Sequence, residues 1–201
     1  MSPGNDLLSH AWWLASRSAG VAALVLLAAS VTIGLVLATG LGGRPARRRA
    51  LVAVHEHAAV TGLVAIAVHG ALLLGDPWLR PGLAGLLVPF LMRYRPLFTG
   101  LGIIGGYAAA LLGLSFYARR RIGAMRWRSL HRATPLVYVL GLVHTLGAGS
   151  DAGTPWLRGF MLVSALPIAA LLALRLTGRR RPAPRPAARP AGSRPVTGVA
   201  S

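Results

Sequence analysis

From Ala19 to Thr39 the chain runs for 21 residues without a charge, and several more apolar runs follow. A helix of that length rises about 31 Å, which matches a hydrocarbon core of about 30 Å. Inside lipid the backbone must satisfy its own hydrogen bonds, so such runs fold as helices and pack side by side. Spans are expected at residues 19–39, 50–74, 97–118, 130–147 and 156–176. The expected fold is an all-α integral membrane protein with a five-span helical bundle over residues 19–176. An N-terminal interfacial segment, 1–18, precedes the bundle, and a disordered basic C-terminal tail, 177–201, follows it.

Charge sharpens the class. The chain is 54% hydrophobic yet carries a formal net charge of +18. Nucleic-acid binding would explain the charge but not the apolar runs, so the expected partner is a lipid bilayer and not a nucleic acid. Every one of the 22 basic residues is arginine, and the acidic residues are Asp6, Glu56, Asp76 and Asp151. There is no cysteine, which removes disulfides, thiolate catalysis and cysteine-ligated iron–sulfur or zinc sites. The first apolar run lacks a preceding basic region, so it does not read as a signal peptide.

Residues 1–18 include His10, Trp12, Trp13 and Arg17, a mixture suited to a membrane interface. Gly40-Leu41-Gly42-Gly43-Arg44-Pro45 stops the first span. Leu83–Met92 is too short to cross and contains Pro89, so it reads as an interfacial or re-entrant piece. The third span is rich in glycine (100, 102, 105, 106 and 113), which lets neighbouring helices approach closely. The Arg/Pro/Ala-rich tail has almost no large apolar residues and cannot bury a core.

Arginine placement sets an expected orientation. Four arginines (44, 47, 48, 49) follow the first span and six (119, 120, 121, 126, 128, 132) follow the third. Three (80, 93, 95) follow the second and none follows the fourth. The positive-inside rule then places the N-terminus outside and the tail in the cytoplasm of a multi-pass plasma-membrane protein. Spans two and four run in the same direction. That brings His55 level with His131 on the inner side and His69 level with His144 on the outer side.

Ionisable residues within spans are costly and usually face the bundle interior. His55 and His69 are fourteen residues apart, and His131 and His144 thirteen, which gives axial separations of roughly 21 and 20 Å. A neutral imidazole is a good axial ligand for haem iron, so two pairs at matched depths point to two stacked haems. One feature resists this arrangement: at about 100° per residue, His144 lies about 140° around a regular helix from His131. Pro135, between them, is a site where such a helix distorts. His57 lies about 160° around the helix from His55 and is expected to be structural or to support the ligands, with a role as an alternative ligand the second reading. Glu56 is expected to pair with an arginine. Arg95, Arg128 and Arg132 are candidates for haem propionate or partner contacts.

With those residues in place, the chain resembles the ferric reductase-like transmembrane domain family. This family includes the haem-bearing membrane halves of ferric reductases and NADPH oxidases, and the haem-binding subunit of the periplasmic methionine sulfoxide reductase. The matching pieces are His55-Glu56-His57 with Val68-His69, Tyr94-Arg95-Pro96-Leu97, and Trp127-Arg128-Ser129-Leu130-His131 with Val143-His144. The resemblance covers roughly residues 12–176. It implies two haems b, the inner held by His55 and His131 and the outer by His69 and His144. It departs from the family in showing five spans where six are frequent, and in having Glu56 where many relatives carry a basic residue.

The chain shows no Gly-rich dinucleotide fingerprint in a βαβ setting and no region expected to hold flavin or nicotinamide. The expected function is therefore a dihaem b-type electron conduit, an oxidoreductase component needing a separate donor. A cytoplasmic flavoprotein or membrane quinol would supply electrons to an acceptor on the outer face. Two alternatives stand beside it. One is a haem-binding anchor subunit for a partner oxidoreductase of the methionine sulfoxide reductase type. The other is a cofactor-free scaffold whose histidines bridge helices.

Overall fold

The computed structural model describes residues 3–178, with side chains from residue 10 onward. The basic tail from 179 onward, expected to be disordered, lies outside the described residues. Seven helices follow in order: α1 Pro3–Ala38, α2 Pro45–Leu73, α3 Gly82–Leu87, α4 Pro96–Ile122, α5 Ala124–His131, α6 Thr134–Ala148 and α7 Pro155–Leu176. The described residues contain no strand. Four helical stretches are long and apolar enough to cross a membrane: His10–Ala38, Pro45–Leu73, Pro96–Ile122 and Pro155–Leu176.

Local chemistry sets the helix boundaries. Proline stands in the first turn of α2, α4, α6 and α7, where its missing N–H costs nothing and its fixed φ suits the helix. Gly123, at φ 91°, takes a conformation that side chains disfavour and ends α4.

Two boundaries differ from the sequence expectation. The lead-in, from Pro3 onward, and the first span form one continuous helix, because no proline or glycine pair interrupts the chain between Asn5 and Thr39. The run expected as a fourth span, 130–147, is split. His131 closes α5, Arg132 and Ala133 form a turn, and α6 begins at Thr134. Pro135 explains the break, since its ring clashes with a continuing helix at the carbonyl four residues back. The Thr134 hydroxyl caps the turn by donating to the His131 carbonyl. At 15 residues, α6 is about 22 Å long.

Helix α1 is the central post. Leu24, Ala28, Val31 and Leu35, at helical spacing, form a stripe that packs with Tyr138 of α6 and Leu157, Met161 and Ile168 of α7. Tyr138 is 2% exposed, and its hydroxyl is 2.8 Å from Ser164 Oγ. A second face of α1 packs along the length of α2, while α4 packs chiefly on α6. A second apolar cluster joins Ala109, Leu112 and Val137 with Leu27, Leu63 and Ile66 at mid-height. Glycines make this waist close-packed: Gly62 lies against Leu26, Gly105 against Leu140 and Gly106 against Ile66.

Candidate functional site: two histidine pairs

The four histidines singled out by spacing meet as two pairs. The rings of His55 and His131 have centroids 6.1 Å apart and planes at 87°. Those of His69 and His144 are 6.3 Å apart, with planes at 74°. All four residues are half-buried. The packed waist of Leu63, Ile66, Ala109 and Val137 lies between the two pairs. α2 carries one histidine of each pair. The break at Arg132–Ala133 lets the other two face it, because His131 and His144 are no longer tied to one helical screw.

Neighbouring helices fix three of the rings through the backbone. His69 Nδ1 is 2.8 Å from the Ser16 carbonyl, and His55 Nδ1 is 2.9 Å from the Ser30 carbonyl. His144 Nδ1 is 2.9 Å from the Phe98 carbonyl. A carbonyl oxygen can only accept, so each Nδ1 carries the proton and each Nε2 keeps a free lone pair. Fixing a tautomer by a hydrogen bond from the remote nitrogen is how proteins orient metal-binding imidazoles. Two serine hydroxyls reinforce the hold. Ser16 Oγ donates to the His69 carbonyl at 3.1 Å, and Ser30 Oγ to the His55 carbonyl at 3.4 Å.

Each of these rings also rests on a glycine one turn beyond its carbonyl. A Cβ on Gly20 would stand 2.9 Å from His69 Nδ1, and one on Gly34 would stand 3.2 Å from His55 Cε1. A Cβ on Gly102 would stand 2.7 Å from His144 Cγ. The cradles on α1, Ser16/Gly20 and Ser30/Gly34, therefore repeat at the fourteen-residue interval that separates His55 from His69. Sequence reasoning missed this repeat; a search of the first span for a small-residue pattern with the histidine period would have found it.

The fourth ring is held differently. His131 stacks on Trp127, with centroids 5.1 Å apart and planes at 24°, and Trp127 in turn meets Phe116 at 5.8 Å. Arg119 lies over Phe116 at 3.8 Å. Among the described residues Trp127 Nε1 is buried without a hydrogen-bond partner, and the Leu112 carbonyl of α4 lies beside His131.

The other expected residues spread over the surface. Arg95 is exposed; it donates to the Gly147 carbonyl and lies 5.5 Å over the Tyr94 ring. Arg128 and Arg132 are exposed beside His131. His57 joins neither pair; its Nδ1 bonds the Ala53 carbonyl of its own helix at 2.8 Å. Glu56 is exposed, and among the described residues it forms no ion pair. Among the described residues the ion pair is Arg17–Asp151, which ties the α6–α7 loop to α1 one residue from Ser16.

The donor set bears on which metal group fits. Among the described residues, no three histidine, cysteine or acidic side chains converge. A protein-only zinc site needs three or four such ligands, whereas haem iron takes its four equatorial nitrogens from the porphyrin and needs only axial ones. Two imidazoles bound through Nε2 to opposite sides of one metal ion, at about 2.0 Å per bond, have ring centroids about 6.2 Å apart. Both observed separations lie within 0.1 Å of that distance. No family model, curated protein or solved structure matches the chain.

Proposed function

We propose that this chain is a dihaem cytochrome b of the ferric reductase-like kind, carrying electrons across a membrane. His55 with His131 hold one haem and His69 with His144 the other. One observation carries this reading: two imidazole pairs sit at the separation of axial ligands on a shared iron, reached from α2 on one side and α5–α6 on the other. Haem supplies the one-electron redox chemistry, and the chain supplies ligation, burial and orientation.

In this reading α6 is the fourth of five crossings. It falls short of a full hydrocarbon core, and α5 lies at the interface to complete the connection. The arginines at 44–49 and 119–132 mark the cytoplasmic face and the His55–His131 pair lies toward it, which puts the N-terminus outside. Electrons enter from a separate cytoplasmic flavoprotein or from quinol and leave to an acceptor outside. Exposed Arg126 and Arg128 flank Trp127, which favours a donor with an acidic surface.

The test is a pyridine haemochrome assay with a redox spectrum on detergent-purified protein expressed with ample haem. About two haems b per chain are expected. A protein that folds and binds none would leave the histidines as helix-bridging groups and overturn the proposal.

A further inference from the structure

α3 and the turn that follows it fold back against α2 and α4. Leu86 rests on Gly70 of α2, one residue from His69. The Phe90 ring lies directly on Gly100 of α4, between Phe98 and the Gly102 cradle. The Tyr107 hydroxyl, seven residues further along α4, donates to the Leu87 carbonyl at 2.6 Å. Seven residues are about 10 Å of helix, so the segment lies along α4 and does not pass over its end. Phe90 turns the chain from the left-handed region, at φ 68°, and Leu91 N–H closes the turn on the Val88 carbonyl. The result is a re-entrant hairpin whose seats adjoin the His69–His144 pair.

The free face of the hairpin is apolar: Leu83, Leu87, Val88, Phe90 and Leu91 are all exposed. Its mouth is cationic and aromatic. Arg80 precedes the hairpin and Arg93 and Arg95 follow it, all three exposed, and the Trp78 and Tyr94 rings meet there at 5.5 Å. Among the described residues no carboxylate pairs with these arginines. Asp76 is buried and accepts from the backbone N–H groups of Trp78 and Leu79, while Asp151 is taken by Arg17. Arg80 uses Nε on the Pro77 carbonyl and Arg95 one terminal nitrogen on the Gly147 carbonyl, which leaves further N–H groups on both for another acceptor.

We propose that the mouth of this hairpin binds the phosphate of an anionic phospholipid, with an acyl chain laid along the apolar face between Leu83 and Leu91. This inference rests on the membrane placement above, which puts the mouth at the outer surface. A guanidinium offers a planar fork of donors that matches phosphate oxygens. Tryptophan and tyrosine favour the headgroup level of a bilayer, which sets the arginines at the depth of the phosphates. A soluble anion would answer the charge but leave the adjoining apolar face without a partner; a phospholipid answers both. The seats at Gly70 and Gly100 then make the lipid a brace for the His69–His144 pair.

The experiment places the full chain in nanodiscs that contain a photoactivatable phosphatidylglycerol or, separately, the matching phosphatidylcholine, and maps the cross-links by mass spectrometry. The hairpin should label several-fold more strongly with phosphatidylglycerol. Arg80→Gln/Arg93→Gln should remove that preference, and excess citrate or inorganic phosphate should not compete. Equal labelling by the two lipids, or a preference that survives in the double variant, overturns the inference. Displacement by citrate or phosphate overturns it in favour of a soluble anion. If the double variant fails to fold, the ratio of the two labels on the unaltered protein still decides. Haem measured on the same sample tests the dihaem reading separately, since its absence would overturn that reading without altering the labelling ratio.

Discussion

Gly102 lies so close to His144 that a single added carbon would stand 2.7 Å from the imidazole Cγ. No side chain fits there unless the ring moves, and the ring is held in place by the Phe98 carbonyl one turn earlier on the same helix. Overpacking of this kind costs about 1–3 kcal/mol. Gly102→Ala should therefore shift or abolish the low-spin signal of the His69–His144 haem and leave the other intact. Gly34→Ala, whose Cβ would stand 3.2 Å from the edge of His55, should be milder. Paired absorption and EPR spectra of the two variants check the ranking.

Ser16 and Ser30 offer a gentler perturbation. Removing either hydroxyl leaves the carbonyl that receives Nδ1–H in place, so the haem should stay bound. The histidine backbone loses a hydrogen bond worth about 1 kcal/mol. Ser16→Ala should shift the midpoint potential of the His69–His144 haem alone, and Ser30→Ala that of the other alone. A redox titration that resolves the two haems reads this directly; equal shifts in both would contradict the separate cradles.

The Arg17–Asp151 ion pair closes the end of the bundle beside Ser16. Arg17 is about one-third exposed, so solvent screening keeps the pair's worth near 1 kcal/mol. Asp151→Asn should lower thermal stability by that order and weaken haem retention at the His69–His144 site more than at the other. Arg17→Gln combined with Asp151→Asn should recover part of the loss, because no unpaired charge is left behind. Thermal unfolding in detergent, followed at each haem's α-band, provides the measurement.

Tyr138→Phe separates stability from ligation. The Tyr138 hydroxyl bonds Ser164 within the α1–α6–α7 core, away from both pairs. Its loss should cost about 1 kcal/mol in unfolding free energy and leave both haem spectra unchanged.

Much of this arrangement could be read from residue spacing, and the parts that could not have identifiable causes. His55 and His69 were readable because fourteen residues on one unbroken helix fix both their depth and, within about 40°, their face. The placement of His131 and His144 opposite them was readable only as depth. Their relative rotation depended on whether the helix broke, and Pro135 marks the region of the break but not the turn at Arg132–Ala133. The continuity of the lead-in with the first span was hidden because Trp12, Trp13 and Arg17 resemble an interfacial piece, although no helix breaker separates them from Ala19. The cradles on α1 were least visible. Serine and glycine are common wherever helices pack closely, and the acceptors of Nδ1 are backbone carbonyls, which every residue possesses. Only the chain's three-dimensional path shows that the carbonyls of Ser16, Ser30 and Phe98 are the ones used.

The central claim is that four histidines act as two defined pairs, and single replacements test it most directly. His55→Ala, His69→Ala, His131→Ala and His144→Ala would each be purified, and the low-spin ferric EPR signals compared with those of the unaltered chain. The account predicts two signals in the unaltered chain. His55→Ala and His131→Ala should lose the same one, and His69→Ala and His144→Ala the other. Loss of one signal by both His55→Ala and His69→Ala, or the absence of any low-spin haem signal from the folded protein, would contradict it.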